Sequence, residues 1–482
     1  VVGVWLSPVV LAALAARVVA GEPGAPLFVA LIASAGLIGV LAARRADPDA
    51  RAEPVSRGTG LAALPLLASL VLVLAANLVV LGDAARALGG TRALGLAAAA
   101  ALALGVGWTA ADRGWRLVAP IGVAIVLVPL ALALATAGTP WTTWQALASR
   151  SALTFGAASA WVTRGHTLGP HATLRFQEPH RVTAAGPATW RVVEHDATRV
   201  TVREWRLGAG DALTLRPGDE LAIDAPARVR FQAGRRVPGT PPSGVAWADG
   251  EHRSAWKTVV RASGVALTLI GGVALTPAVH AAGVSMLVPL VLLTFVVGAA
   301  LWGLYAVALA PEVALLPHTL APLLEVVART APPRWRQAVV VLVAAGLVAL
   351  FLGMVVAWRA RLAGAIAEVA AALRGSALSG PTVTIGTAGV VALALLVAWR
   401  VDDAWRLFAW GLGLAAAAVL APRVALAGPR GTLAGAATGT LVFAALALGV
   451  DGLPVPVGAL TEYPAAIAAP AAWLAARLAR GR

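Results

Sequence analysis

Of 482 residues, 59% are hydrophobic and only 13% are charged, and the mean hydropathy is +0.81. Soluble chains carry roughly a quarter of their residues as charges, so too little polar surface remains here for water, and the class implied is a polytopic membrane protein. The net charge of +15 is almost all arginine, with Lys257 the single lysine. Acids interleave with those arginines and no basic stripe with stacking aromatics occurs, so nucleic acid is not an expected partner.

Residues 1–138 read as about five lipid-embedded helices. The first runs from Val1 to Ala20, with a retained apolar stretch and no cleavage site. The second is Leu27–Ala43, and the loop after it (44–57) holds four arginines and is assigned to the cytoplasm. Further spans fall at Gly60–Leu81, Ala93–Ala110 and Arg116–Thr136, each near the ~20 residues that cross a hydrocarbon core. Asp112, Arg113 and Arg116 then lie inside, and the fifth span delivers the chain to the far side. The outward loop Asp83–Arg92 carries two arginines against that assignment.

Residues 139–165 form an expected interfacial amphipathic segment. Trp141 and Trp144 stand three apart, on one helical face, and tryptophan favours the headgroup region. Residues 166–255 form the one long water-seeking stretch, an expected extracytoplasmic all-β domain, either a small sandwich or an open barrel. Val200 and Val202 alternate with Arg199, Thr201 and Arg203, Leu213 and Leu215 repeat the pattern, and Leu221, Ile223, Val229 and Phe231 continue it. Period-two alternation between turn residues such as Pro217, Gly218 and Asp219 marks half-buried antiparallel strands. The basic loop Gly234–Gly244 is read as a linker back to the membrane.

Residues 256–482 read as about seven further helices, at Thr258–Thr276, Val284–Leu309, Gln337–Trp358, Val383–Trp399, Trp405–Ala421, Thr432–Val450 and Ala465–Leu478. The positive loops Arg359–Pro381 and Pro422–Arg430 and the tail from Arg477 fall inside. The segment 312–329 is expected to be an amphipathic helix on the membrane surface, although the arginines 329, 334 and 336 sit awkwardly outside. The total is about twelve spans, with both termini cytoplasmic in a cell or inner membrane.

Candidate chemistry is sparse. Gly431, Gly435 and Gly439, four apart, put a groove on one helix face for close packing, within the chain or against another subunit. Asn77 is the clearest polar residue at mid-span, an interhelical hydrogen bond or a transport site. Asp402, Asp403, Asp451 and Glu462 fall at helix ends. Five of the seven histidines (166, 171, 180, 195, 252, with 280 and 318 elsewhere) lie in the insert, but their irregular spacing gives no metal motif. Cysteine is absent, which removes disulfides and thiolate chemistry; no phosphate loop, catalytic triad, cofactor or metal is expected. The reading is a noncatalytic membrane subunit or scaffold that presents its β domain to a partner or envelope component. A transporter or lipid translocase with a path between the two helix groups is the alternative, and a membrane-embedded enzyme the third. Expected partners are membrane lipid and other membrane or envelope proteins.

Overall fold

The computed structural model describes residues 6–19, 61–109, 117–156, 172–195, 199–223, 229–238, 240, 242–249, 264–275, 287–315, 320–374, 380–401, 403–425, 428–448 and 463–480. The expected span 27–43, the loops 44–57 and 112–116, Lys257, Asp402, Asp451, Glu462 and the histidines 166, 171, 252, 280 and 318 lie outside them. The described chain is mostly helical with a small antiparallel β region.

Six described helices are long and apolar enough to cross a membrane: Leu64–Ala87, Val118–Ala137, Pro289–Leu309, Arg336–Leu373, Val383–Arg400 and Ala404–Val424. We label the helices α1 (Pro8–Val19), α2 (Leu64–Ala87), α3 (Arg92–Thr109), α4 (Val118–Leu127), α5 (Leu130–Ala137), α6 (Pro140–Ala148) and α7 (Gly244–Asp249) before and after the strands. There follow α8 (Leu287–Leu309), α9 (Ala321–Thr330), α10 (Arg336–Arg374), α11 (Gly380–Arg400), α12 (Ala404–Ala415), α13 (Ala421–Val424), α14 (Pro429–Ala447) and α15 (Ala465–Arg480). A π turn, Ala416–Leu420, joins α12 to α13 just before Pro422. Proline has no N–H for the helical ladder, and a widened turn there absorbs the mismatch.

Small residues set the packing. The tightest crossing with a sequence-legible stripe is α14 on α15. A Cβ on Gly435 would stand 2.9 Å from the Ala472 carbonyl oxygen, and one on Gly439 3.0 Å from the Ala472 side chain and 2.6 Å from the Ala417 oxygen. The two helices therefore run antiparallel, and this chain's own residues fill the groove at both positions. A second crossing, α4 on α10, is built the same way. Gly122 faces Leu350, Gly346 faces Val126, and Gly353 faces Ala119, an antiparallel pair in which backbone meets backbone. Without a hydrophobic drive between helices in lipid, such close approach is what gains dispersion energy.

Three boundaries differ from expectation. The helix starting at Arg336 does not stop at Trp358 but continues through Arg359 and Arg361 to Arg374, over 39 residues. At 1.5 Å per residue it is about 58 Å long, well beyond a hydrocarbon core of about 30 Å. The charges there end the apolar stretch, while the alanine-rich sequence keeps the helix going. The segment 312–329 is not one surface helix. It is a 3-10 turn, Pro311–Leu315, followed by α9, which starts beside Pro322 and sinks Leu323, Val326 and Val327 into the bundle core with no exposed surface. The β unit also begins before residue 166: Thr154 bridges Arg236, and Phe155 stacks on Phe231 at 4.7 Å.

That unit is a sandwich. One sheet has the order β1 (Ala172–Arg175), β6 (Glu220–Ile223), β3 (Ala188–His195), β4 (Val200–Leu207); the other has β5 (Ala212–Leu215), β2 (His180–Ala184), β7 (Val229–Phe231). All pairings are antiparallel. Phe176, Val182, Trp190, Val192, Leu213, Leu215, Leu221, Ile223, Val229 and Phe231 form its core. Two turns are closed by carboxylates, Asp211 accepting from Gly208 N–H and Asp219 from Arg216 N–H, both at 2.7 Å. Gly210 and Gly218 supply the positive φ (94° and 95°) those turns require. Val200 and Val202 differ from expectation: both are exposed, because the register pairs them with His195 and Val193, on the face of the sheet opposite Trp190 and Val192, and of the core-facing residues Thr201, Arg203, Trp205 and Leu207 only Leu207 is covered.

Candidate functional site

The helix ends beside the sandwich hold the buried carboxylates of the bundle. Among the described residues the buried carboxylates are Asp219 in its turn and Glu312 and Glu325 in the bundle. Glu312 projects from the 3-10 turn that follows α8, and Arg329 from the last turn of α9 reaches back to it, Nη2 to Oε1 at 2.6 Å. Glu325, one turn earlier on α9, lies 3.8 Å from Arg329 Nε. A guanidinium held between two carboxylates at this depth is worth little as net stability, since desolvation offsets most of the attraction, but removing one member leaves an uncompensated buried charge. The same 3-10 turn carries Leu315 onto the sandwich core. The cluster thus fixes the strut between bundle and β unit.

The segments that flank the sandwich are tied to the bundle, and to each other, at four points. Tyr305 of α8 donates to Gly138 O at 2.9 Å, and Arg150 donates to Ala308 O at 3.3 Å. Trp247 of α7 donates from its indole to Val18 O at 3.1 Å, near the end of α1. Gly244, where α7 starts, meets the Leu147 carbonyl so closely that no side chain fits. The C-terminal ends of α1, α5 and α8 therefore share one end of the bundle, the end that bears the sandwich.

Trp141 and Trp144 lie on α6, whose N-cap Thr139 accepts from Thr142 N–H. Their rings stack at 5.5 Å, and both are exposed while Thr143 and Leu147 face inward. Asn77 is fully buried on α2. Its amide donates to Val73 O at 2.8 Å and approaches Met354 Sδ at 3.3 Å on α10, and its oxygen accepts from Val9 N–H at 3.4 Å, a first-turn amide of α1 with no partner inside its own helix. Gly431, Gly435 and Gly439 are all buried on α14, the last two against α15 and the turn that precedes α13. The structure does not bring Asn77, the glycines and the tryptophans into one site.

Sequence reasoning missed the Glu312–Arg329–Glu325 cluster by laying 312–329 on the surface. The available signal was the spacing of Glu325 and Arg329, four apart, between apolar residues on both sides. It also missed the arginines that serve as helix caps. Arg92 Nη2 donates to the Ala398 and Val401 carbonyls at 3.0 and 3.3 Å, closing the C-terminus of α11, and Arg361 donates to Ala274 O at 3.2 Å. Both place cations where the helix dipole is negative.

Of the histidines, His180 and His195 are described. His195 lies 3.7 Å from Glu220 on the sheet surface. His180 is 1% exposed, ringed by Phe155, Phe176 and Phe231, and neither ring nitrogen has a hydrogen-bond partner. Burial, opposed by Glu178 and aided by Arg235, lowers its pKa to about 4. It is a neutral core residue. No group of three or more potential metal ligands occurs among the described residues.

The composition, the six membrane-length helices and the sandwich seated on helix ends define a helical membrane protein with an inserted β unit. Compared with models of known families and with curated proteins, the chain matches none.

Proposed function

We propose that the chain is a noncatalytic subunit of a membrane assembly, of about twelve spans, whose helices anchor and hold a β-sandwich outside the cytoplasm for a partner protein. The observation that supports this reading is the anchoring of the segments that enter and leave the sandwich: Tyr305 holds Gly138, Arg150 holds Ala308 and Trp247 holds Val18, while Leu315 reaches the sandwich core. A domain whose entering and leaving segments are both anchored is kept beside the bundle, which suits presentation to a neighbour.

The orientation has electrostatic support. At the end remote from the sandwich lie Arg359, Arg361, Arg374, Arg423, Arg430, Arg477 and Arg480, on the lower part of α10 and the adjoining ends of α13, α14 and α15. Two of the five arginines that run against a positive interior are engaged in the fold: Arg92 caps α11, and Arg329 neutralises Glu312 and Glu325, while Arg86, Arg334 and Arg336 remain against the rule. The translocase alternative has less support, because helices of the two groups interlock. Gly303 on α8 meets Ala15 of α1, Gly411 on α12 meets Ser69 of α2, and Gly353 on α10 meets Ala119 of α4.

Purification in mild detergent tests the reading. A stable complex with a second membrane or envelope protein is the expected outcome; a lone monomer with nothing co-purifying overturns it.

A further inference from the structure

Among the described residues the sandwich has four sheet edges. Three are short: β1 and β5 have 4 residues each and β7 has 3. The fourth, β4, has 8 residues, and every one except Leu207 is exposed. It contains no proline, and its apolar side chains stand in water, Val200 at 64%, Val202 at 59% and Trp205 at 39% exposure. Edge strands of soluble domains are normally short, bulged or covered, because a row of free N–H and C=O groups recruits another strand.

We propose that β4 is the docking edge for an extended, acidic segment of a partner protein, which adds to the sheet as a fifth strand. This deepens the scaffold reading above and rests on it. The backbone of such a strand satisfies the outward amides and carbonyls of β4, and its alternate side chains choose the partner. The charges choose acid. Glu204 lies across from Arg191, and Arg203 stands 3.5 Å from Glu194, so those charges are matched inside the sheet. Arg206 lies across from neutral Thr189, and exposed Arg199 precedes the strand, which leaves a positive surplus along the free edge.

A lipid surface is the less suited occupant. Neither side of β4 is uniformly apolar: Val200 and Val202 share one with Glu204 and Arg206, and Trp205 and Leu207 share the other with Thr201 and Arg203. Lipid insertion needs the apolar groups gathered on one side, without Glu204, and cannot use a free backbone edge.

The test uses the full chain in nanodiscs and a synthetic nine-residue peptide of alternating Glu and Val, with amide exchange of residues 200–207 as the readout. The peptide is expected to slow exchange at β4 by about tenfold or more. It should do so neither with Lys in place of Glu nor with N-methylated backbone amides, and not on the exposed-site double variant Val200→Lys/Val202→Lys. No slowing, equal action of the Lys peptide, or equal action of the N-methylated peptide overturns the proposal. Protection of β4 by anionic nanodiscs without any peptide overturns it in favour of a lipid surface. A native complex that survives Val200→Lys/Val202→Lys overturns the edge and leaves the scaffold reading standing. Labelling of the sandwich only from the cytosolic side overturns the scaffold reading, while the peptide result still decides the edge.

Discussion

Two buried ionisable sites carry opposite consequences at the scale of single residues. His180 is neutral in the folded sandwich, with a pKa near 4 against 6.5 when free. The unfolded chain binds the proton first as pH falls, so stability from this residue is constant above about pH 6.5 and is lost progressively down to about pH 4. The gap of 6.5 − 4 corresponds to about 3 kcal/mol in full. Calorimetric melts of the sandwich at pH 7 and pH 4.5 should differ by most of that amount, and His180→Phe should remove the difference while keeping the ring among Phe155, Phe176 and Phe231. Arg329 is the second case. Arg329→Gln leaves Glu312 and Glu325 facing each other without a cation, and an unfolding cost of roughly 3–5 kcal/mol is expected. Adding Glu325→Gln to that variant should recover part of the loss, measured by thermal shift in detergent, because one carboxylate is then no longer charged.

Helix pairs make the next prediction. At the crossing of α4 and α10, a Cβ on Gly122 would lie 2.8 Å from Leu350 N and one on Gly353 2.6 Å from the Ala119 side chain, so neither helix can yield locally. Gly122→Val or Gly353→Val should lower stability by about 1–3 kcal/mol or more through overpacking. Gly364, further along α10, has nothing within 4 Å of such a Cβ, and Gly364→Ala should stabilise by about 0.5–1 kcal/mol in the same assay, by helix propensity alone. This contrast also shows what the sequence could and could not convey. The stripe Gly431, Gly435, Gly439 was legible because its period is local to one helix. Gly122 with Gly346 and Gly353 was not, since its halves lie on helices far apart in the chain. The strand alternation at 213–223 and 229–231 was legible for the same local reason, and the buried faces there match it. The exposure of Val200 and Val202 follows from the register with β3, which turns their face of β4 away from the core and which no pattern within β4 encodes. The burial of 312–329 turned on tertiary packing that overrode an amphipathic pattern, and helix continuation past Trp358 on propensity outlasting hydrophobicity.

On the scale of the whole molecule, the decisive quantity is which end of the bundle faces the cytoplasm. The antiparallel contacts fix relative directions: α4 against α10, α14 against α15, and the start of α3 against the end of α11. They put the sandwich at one end and Arg359, Arg361, Arg374, Arg423, Arg430 and Arg477 at the other, with Arg400 and Arg406 at the sandwich end, so a single measurement orients every described helix. The chain has no cysteine of its own, which makes single-cysteine labelling clean. Thr201→Cys, on exposed β4, should react with a membrane-impermeant maleimide in intact cells. Leu373→Cys, 71% exposed near the far end of α10, should react only after the membrane is opened. Because Thr201 lies in the sandwich and Leu373 at the far end of the bundle that carries it, reversal of both labels would invert the orientation and place the sandwich among cytosolic partners. Labelling of both from outside would mean that α10 does not cross the bilayer, despite an apolar stretch long enough to do so.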